Sequence, residues 1–433
     1  MLSAKLDSDM EAYAQALNIA IPFFVSLIII EALVAKYKGM QVNRGPDAIS
    51  SLSSGVTNVV KDVLGLSVVI ISYSWLVDHI KLVELKATWA VFLVAFIAKD
   101  FAGYWVHRLE HEINFLWNRH IIHHSSEEYN LSCALRQSIS SVLSFAALFM
   151  LPAALLGVPA EVIAVIAPIH LFMQFWYHTR VIGKLGFLEK IIVTPSHHRV
   201  HHAMNPEYID KNYSQILIIW DKLFGTFQPE LEDVQPVYGV KRPVKTWNPI
   251  LINFQHFWLL LQDAWRTKSW KHKFLLWFKP TGWRPPDVAE KYPVQIVEDF
   301  DHFEKYDNHP STALVYWSWF QLITTLLLMF FMFNQIANIP FPMLLVYGLF
   351  LFLSVYSYTT LLDKSPWALL TESLRAAMGW GLIVAMGDWF GLDRMMPGAS
   401  TLLALYFAFS LGVVAWFVFT EVWPERKTAR AET

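Results

Sequence analysis

Residues 87–111 read ATWAVFLVAFIAKDFAGYWVHRLEH, an apolar run that passes directly into a histidine pair, His107 and His111. The apolar part, 87–106, has about the length that one helix needs to cross the hydrocarbon core of a bilayer. Side chains four residues apart lie on one face of a helix, so the two histidines can point at the same ion. The stretch therefore predicts a membrane helix that ends in a metal-binding pair.

Two further histidine clusters follow, with members three and four residues apart: His120, His123 and His124, and then His198, His201 and His202. Neutral imidazole is a good ligand for iron, zinc, copper and nickel, and eight imidazoles are too many for one such ion. One cluster alone could be a solvated basic helix face. Three clusters in one chain favour two metal ions, each held by four or five nitrogen atoms.

The composition indicates a membrane protein. Of 433 residues, 55% are hydrophobic and 16% are charged, and the mean hydropathy is +0.36, whereas about a quarter of the residues are charged in soluble proteins. Apolar stretches of sufficient length predict nine spans, at 17–34, 59–77, 87–106, 139–158, 162–177, 314–334, 341–361, 373–390 and 401–419. We expect an all-α fold, a polytopic membrane helix bundle with a histidine-rich dimetal cap.

Basic residues predict the orientation of the bundle. Lys36, Lys38 and Arg44 follow the first expected span, and loops rich in lysine and arginine stay in the cytosol. Counting spans from there places every histidine cluster, and with them the active site, at the cytosolic face. The formal net charge is −2 and no basic aromatic patch is present, which excludes a nucleic-acid partner.

The chain divides into four regions. Residues 1–86 form an N-terminal transmembrane region, and 87–230 form the catalytic region with all three histidine clusters. Residues 231–310 form a cytosolic or interfacial segment, interrupted by prolines, in which 250–265 predicts an amphipathic helix on the membrane surface. Residues 311–433 form a C-terminal transmembrane region.

Further candidates lie beside the clusters. We expect His178, at the end of the fifth span, to be a metal ligand, and His170, deeper in that span, to be a hydrogen-bonding core residue. His197 is either a ligand or a support for one, because it points about 100° away from His198 on a helix. Glu112 is a candidate ligand or orienting carboxylate. Other carboxylates could orient imidazoles or pair with arginines: Asp100, Glu110, Glu127, Glu128 and Asp210.

The order of these motifs resembles the sterol desaturase/fatty acid hydroxylase superfamily, and within it the branch that cleaves ether lipids such as alkylglycerols. The resemblance is specific over about residues 90–230. It is carried by the three histidine clusters together with Tyr129-Asn130-Leu131-Ser132, Ala134-Leu135-Arg136-Gln137-Ser138, Gln174-Phe175-Trp176, Thr194-Pro195-Ser196-His197-His198, Ile209-Asp210-Lys211-Asn212-Tyr213 and the run from Ile219 to Phe227.

The resemblance implies a diiron membrane monooxygenase that oxidises a lipid C–H bond with O₂. The catalytic histidines would hold two iron ions: His107, His111, His120, His123, His124, His198, His201 and His202. In the ether-lipid branch tetrahydrobiopterin supplies the electrons; another redox donor remains open. The alternative on the same scaffold is a sterol, fatty acid or sphingolipid hydroxylase or desaturase. A metal transporter or metal-binding protein is disfavoured, since the clusters lie at one surface instead of along a path through the bilayer.

Overall fold

The computed structural model describes residues 2–69, 71–141, 143–144 and 146–425. The extreme ends of the first and last predicted regions, and positions 70, 142 and 145, lie outside the described residues. Within the described part, the regular structure is helical apart from isolated bridges and one short parallel pairing of β1 (Val68–Val69) with β2 (Leu143–Ser144). The all-α fold is confirmed.

In chain order, the described helices are α1 (Leu2–Tyr37), α2 (Gly45–Val63), α3 (Tyr73–Ile80), α4 (Trp89–Glu112), α5 (Asn114–Trp117), α6 (Ile121–His124), α7 (Leu151–Leu155), α8 (Ala160–Phe175), α9 (Pro195–His202), α10 (Ile219–Phe224), α11 (Pro249–Arg266), α12 (Trp270–Leu275), α13 (Pro286–Lys291), α14 (Thr312–Asn334), α15 (Phe341–Leu362), α16 (Ala368–Met386), α17 (Leu392–Met395) and α18 (Ala399–Phe417). Short 3-10 helices lie at Leu131–Leu135, Ala146–Met150, Gly186–Lys190 and Ile336–Asn338, and a π-helical turn, Val418–Val422, extends α18.

Six of the described helices are long and apolar enough to cross a bilayer: Met10–Tyr37 of α1, α4, α14, α15, α16 and α18 with its extension, Ala399–Glu425. They coincide with six of the nine expected spans. The chain is therefore a multi-pass integral membrane protein.

The expected span at 59–77 was wrong as a single membrane helix. Helix α2 ends at Val63, and Gly65 follows with a φ of +62°, a left-handed conformation that turns the chain out of the helix. The buried side of α2 includes serines, Thr57 and Lys61, and it packs on α14 and α15. Because these polar groups contact protein, α2 does not present the apolar surface of a lipid-facing span.

The expected spans at 139–158 and 162–177 were also wrong. The first is divided among β2, a 3-10 helix and α7, after a turn in which Ser138 Oγ accepts hydrogen bonds from the amides of Ser140 and Ser141. The second corresponds to α8, whose 16 residues give about 24 Å, less than the ~30 Å of a hydrocarbon core. By residue count, each of the two apolar segments between the histidine clusters could cross a bilayer. Neither forms a single helix long enough to do so.

Two hydrophobic cores organise the described membrane helices. The larger one joins α1 and α2 to the C-terminal helices, with Ile49 and Val60 of α2 beside Leu322, Phe350 and Phe407. The smaller one packs α4 against α8 and the 3-10 helix Ala146–Met150. The first and last predicted regions therefore share one core, and α4 stands beside it with its histidine end directed into the polar part of the chain.

Helix α11 forms part of the wall around that polar part. Asn248 caps its first turn by accepting hydrogen bonds from the amides of Ile250 and Leu251, and Pro249 suits the first helical position. One face is buried, with Ile252 and Leu260 among its residues. The opposite face is apolar and exposed: Leu251, Phe254, Trp258, Leu261 and Trp265. The helix is amphipathic, in agreement with the sequence; its location on the membrane surface stays a prediction.

Candidate metal centre

The structure brings nine histidines together in two adjacent groups. Site 1 contains His107, His111, His120, His124 and His201, and site 2 contains His123, His178, His198 and His202. Within each group, one ring nitrogen of every histidine lies within 4.8 Å of the others. The sites touch, since the rings of His124 and His202 stack with centroids 4.3 Å apart.

Four elements supply these side chains. The end of α4 provides His107 and His111, and α6 with the residue before it provides the second cluster. Helix α9, which begins with Pro195 after an extended Thr194, provides the third cluster. His178 follows α8. In each case the ligand face lies at or beyond a helix end, where the chain leaves the apolar part of the fold.

Pairs of Nε2 atoms approach closely in both sites. The separations are 3.0 Å for His107–His120 and 3.1 Å for His111–His124 in site 1. In site 2 they are 3.2 Å for His123–His178, 2.9 Å for His178–His198 and 3.1 Å for His198–His202. Two nitrogens bound to one metal at 2.0–2.1 Å with angles near 90–110° are themselves about 2.8–3.4 Å apart. The observed spacing is that of ligands around an ion.

A loop orients two imidazoles of site 1. The carbonyl oxygen of Tyr213 lies 2.7 Å from His107 Nδ1, and that of Lys211 lies 2.9 Å from His201 Nδ1. A carbonyl can only accept a hydrogen bond, so each Nδ1 carries the proton and each Nε2 keeps its lone pair for a metal. The loop turns through Asp210 and Asn212, whose φ values are +57° and +55°. These left-handed residues aim both carbonyls at the histidines.

Asp221 anchors this loop by binding its backbone amides. Its buried carboxylate accepts hydrogen bonds from the amides of Tyr213 and Ser214, each at 2.8 Å, and from Thr226 Oγ1 at 2.7 Å. Burial raises the pKa of Asp221, while these hydrogen bonds act in the opposite direction. The carboxylate therefore fixes the backbone that holds the His107 ring.

Backbone carbonyls orient site 2 in the same way. His123 Nδ1 lies 3.2 Å from the carbonyl oxygen of Arg136, and His178 Nδ1 lies 2.9 Å from that of Gln174. Arg136 is itself buried and pairs with Asp47 of α2 at 2.8 Å, while it donates to Ser125 Oγ at 2.8 Å. The ion pair ties the histidine region to α2.

The imidazoles outside the membrane helices are held neutral. Burial, helped by neighbouring histidines, lowers the pKa of His123 to about 3. Burial followed by the charges of neighbouring histidines lowers the pKa well below the usual value in six others: His120, His124, His178, His198, His201 and His202. Neutral imidazole is the form that binds metals, so the sites are in the ligand state at neutral pH.

An unsatisfied nitrogen at site 1 and the facing Nε2 atoms of site 2 fit metal ions. With its Nδ1 bonded to Lys211, His201 has a buried Nε2 without a hydrogen-bond partner among the described residues. A buried polar atom without a partner is costly, and a bound cation removes that cost. Five and four nitrogen donors suit iron, zinc, copper or nickel better than oxygen-seeking calcium or magnesium.

Two predicted residues lie outside both groups. Glu112 Oε1 accepts a hydrogen bond from Arg108 Nε at 2.8 Å on the surface of α4. The ring of His197 packs edge-to-face on Phe227, with its Nδ1 3.5 Å from Thr194 Oγ1. The structure brings His178 into site 2 but does not bring these two residues to either site.

The other carboxylates separate into two kinds. Glu110 and Asp210 lie near ring nitrogens, 3.6 Å from His120 Nδ1 and 3.7 Å from His111 Nδ1. Asp100 instead binds His170 Nε2 at 3.0 Å and accepts amide hydrogen bonds from residues 216 and 217. The prediction that His170 is a hydrogen-bonding core residue is confirmed.

A cavity of about 420 Å³ lies between the metal centre and the 231–310 segment. His111, His124, His201 and His202 form one wall. Other lining residues belong to the 231–310 segment, among them Arg242, Leu260 and Trp283. Sequence reasoning did not connect this segment with the site, since its residues carry no metal-binding pattern. Both metal sites therefore face a space large enough for an organic ligand.

Helices that cross a membrane and end in two groups of buried histidines define a membrane hydroxylase. In agreement, residues 92–226 match the fatty acid hydroxylase family model. Alkylglycerol monooxygenase of Homo sapiens is 37% identical over 402 residues, which cover 92% of this chain and 88% of that protein. Its counterpart in Xenopus tropicalis is 37% identical over 82% of this chain and 79% of its own length.

The chain therefore belongs to the alkylglycerol monooxygenase family and is a membrane-bound oxidoreductase of the lipid hydroxylase type. A more distant relative is the ornithine lipid hydroxylase of Rhizobium tropici, 34% identical over 135 residues, 31% of this chain and 41% of that protein. No solved structure matches the chain significantly.

Proposed function

We propose that this protein is a diiron monooxygenase that cleaves ether lipids of the alkylglycerol type. The observation that carries the proposal is the pair of adjacent sites with five and four buried histidines at the end of a membrane helix. The family relationship supports the substrate, because alkylglycerol monooxygenases are similar to this chain over most of its length.

The nine grouped histidines are the ligands in this proposal, five for one iron and four for the other. Glu112 and His197 are left out of the ligand set, because Glu112 pairs with Arg108 and the ring of His197 packs on Phe227. When bound, the two irons would supply the oxidising power for an unactivated C–H bond, which no amino-acid side chain can supply. The protein's own part is to hold the imidazoles neutral, fix their rings through backbone carbonyls and keep bulk water from the sites.

The overall reaction needs O₂ and two electrons. One oxygen atom enters the C–H bond next to the ether oxygen, and the other leaves as water with two protons. The resulting hemiacetal collapses to a fatty aldehyde and a glycerol derivative. We propose tetrahydrobiopterin as the electron donor on family grounds, and the cavity beside site 1 is large enough to admit an organic reductant or the polar end of a lipid.

We also propose that the sites face the cytosol. The histidine end of the bundle lies beside the basic stretch that follows α1, since Lys38 Nζ donates to the carbonyl of Val181 at 2.9 Å and Arg44 pairs with Asp307 at 2.8 Å. Loops rich in lysine and arginine remain in the cytosol. Labelling of single cysteines introduced beside Lys38, in sealed vesicles of known orientation, tests the assignment.

The substrate test uses purified protein loaded with iron. With O₂, tetrahydrobiopterin and an alkylglycerol, we expect release of one fatty aldehyde for each O₂ consumed, together with two irons per chain. A protein that holds two irons but releases no aldehyde from any ether lipid would overturn the substrate assignment. A protein that binds no iron would overturn the diiron assignment.

One alternative has specific support. The similarity to an ornithine lipid hydroxylase favours hydroxylation of a different membrane lipid on the same scaffold. Incubation with a total lipid extract and mass spectrometry would distinguish the two, because a hydroxylase adds one oxygen to an intact lipid whereas ether cleavage shortens it. Metal transport is disfavoured, since the histidines cluster at helix ends instead of along a path through the bilayer.

A further inference from the structure

Arg242 is a partly buried cation in the wall of the cavity that borders site 1. Its Nη2 atom is buried and has no hydrogen-bond partner among the described residues. The neighbouring carboxylate, Asp263, is occupied by Arg284, whose Nε and Nη2 bind its two oxygens at 2.6 and 2.8 Å. Burial, followed by the nearby charge of Arg284, lowers the pKa of Arg242. The environment thus favours an anion beside Arg242.

The cavity around Arg242 is mostly apolar. Leu259, Leu260, Val294 and Ile296 line it, together with four histidines of the metal sites. Asp210 is a carboxylate of the same wall and lies 3.7 Å from His111 Nδ1. A ligand that fits these walls carries an anionic group at one end and an apolar body beside it.

The position of α11 indicates that such a ligand comes from the membrane. Leu259 and Leu260 line the cavity from one side of this helix. On the other side, Leu251, Phe254 and Trp258 expose apolar surface, of the kind that inserts into the headgroup region of a bilayer. With α11 on the membrane surface, as the sequence predicts, one helix would separate the cavity from the lipid, and an amphiphile is a better candidate than a small soluble anion.

We propose that Arg242 binds the phosphate of a phosphate-bearing lipid and forms the headgroup subsite of the enzyme. The proposal rests on the proposed function, and it names the residue that would hold the phosphate of such a substrate. The planar guanidinium can bind two phosphate oxygens at once. The headgroup would then be held on the wall opposite the metal sites, with the apolar chain along the leucines of α11.

The test measures binding without turnover. The probes are a 1-acylglycerol 3-phosphate and the monoacylglycerol with the same chain, which differ by the phosphate and contain no ether bond to oxidise. We expect the full-length protein in nanodiscs to bind the phosphate-bearing probe at least about tenfold more tightly, the amount expected for a charge-assisted hydrogen bond. Arg242→Gln should lose this preference and bind the neutral probe within about twofold of the native protein.

Two variants make the result interpretable. Lys245→Gln removes the same charge from the same segment at an exposed residue that binds Gln295 outside the cavity, and it should keep the preference. Arg242→Lys keeps the charge but loses the planar fork, so it should retain part of the preference. If Arg242→Gln does not fold, the partial loss in Arg242→Lys decides the question, with no loss counting against the proposal.

Three outcomes would overturn the proposal: no phosphate preference in the native protein, an unchanged preference in the Arg242 variants, or inorganic phosphate competing as strongly as the phosphate-bearing lipid. The last outcome would indicate a site for a soluble anion. Failure of the proposed function would appear separately, as absence of aldehyde release, because the binding measurement needs no oxidation. With a phosphate-bearing ether lipid as substrate, Arg242→Gln should raise KM by about tenfold and leave kcat nearly unchanged.

Discussion

The histidine region and the C-terminal helices both bury polar groups among apolar helices, but they do so in opposite ways. In the C-terminal bundle, Glu372 accepts hydrogen bonds from Arg375, Ser357 and Ser410, and Gln321 donates to Ser410. This network supplies its own partners. The histidine region leaves ring nitrogens facing one another, and one of them, His201 Nε2, has no partner among the described residues.

The difference separates a structural polar cluster from one that requires a ligand. Burial, charge and position at a membrane helix are similar in the two regions, so none of these features alone identifies a functional site. The discriminating feature is whether each buried polar atom has a partner within the protein. By that criterion the Glu372–Arg375 network joins helices, whereas the histidine sites are suited to bind ions.

The largest effect should come from removing one ligand of site 2. We expect His123→Ala to lose the metal of that site and all detectable turnover while the protein still inserts and folds. Metal content by mass spectrometry and aldehyde release measure the two effects. His302→Ala, which alters a histidine with 84% of its side chain exposed, is the matched control. Activity retained in His123→Ala would contradict the assignment of the ligands.

The C-terminal network should respond in stability and not in metal content. Replacing Arg375 by Leu leaves the carboxylate of Glu372 buried without its main partner, which should cost about 3–5 kcal/mol of unfolding free energy. Replacing both residues by apolar ones should cost much less, because no charge then remains unpaired. Thermal unfolding in detergent measures the loss. Equal losses for the single and double variants, or loss of metal from either, would erase the distinction between the two regions.

An intermediate effect is expected where a carboxylate supports the histidines indirectly. Asp221→Asn places an amide N–H against backbone N–H groups and loosens the loop that orients His107. Loss of such an outer support typically lowers metal affinity by about 10–100-fold. Metal titration should show weaker binding at site 1 and unchanged binding at site 2. Asp299→Asn changes an exposed carboxylate that belongs to neither site, and it should leave metal binding at both sites unaltered.

The smallest effect should be at Glu112. Its salt bridge with Arg108 is on the surface, with 40% of the carboxylate side chain exposed, and such pairs contribute at most about 1 kcal/mol. We expect Glu112→Gln to change stability by less than that and turnover by less than about twofold. A large loss of metal would return Glu112 to the ligand set.

Spacing along the chain predicted the histidine centre well, but it did not predict the division between its sites. Residues four apart stay together, as in His107 with His111 and His198 with His202. Residues three apart separate, since His123 joins site 2 while His120 joins site 1. The short helix α6 helps to explain the division, because the consecutive residues His123 and His124 point about 100° apart and can face different ions.

Other parts of the structure could not be read from the local sequence. Apolar stretches predicted six membrane helices correctly and three wrongly, because hydropathy shows neither where a helix ends, as at Val63, nor whether an apolar stretch such as 139–158 forms one continuous helix. The partner of Arg136 is Asp47, 89 positions earlier in the chain, and no spacing rule reveals such a contact. The role of Arg242 depends on Asp263 being occupied by Arg284, which also requires the fold.

The buried ion pair between Asp47 and Arg136 limits how far the enzyme can be trimmed. Asp47 lies on α2, which packs on α14 and α15, while the backbone of Arg136 orients His123. A shortened protein ending near residue 310 would retain every histidine of the two sites yet strip α2 of its packing surface. The C-terminal helices therefore stabilise site 2 through α2, and a minimal catalytic fragment must include them.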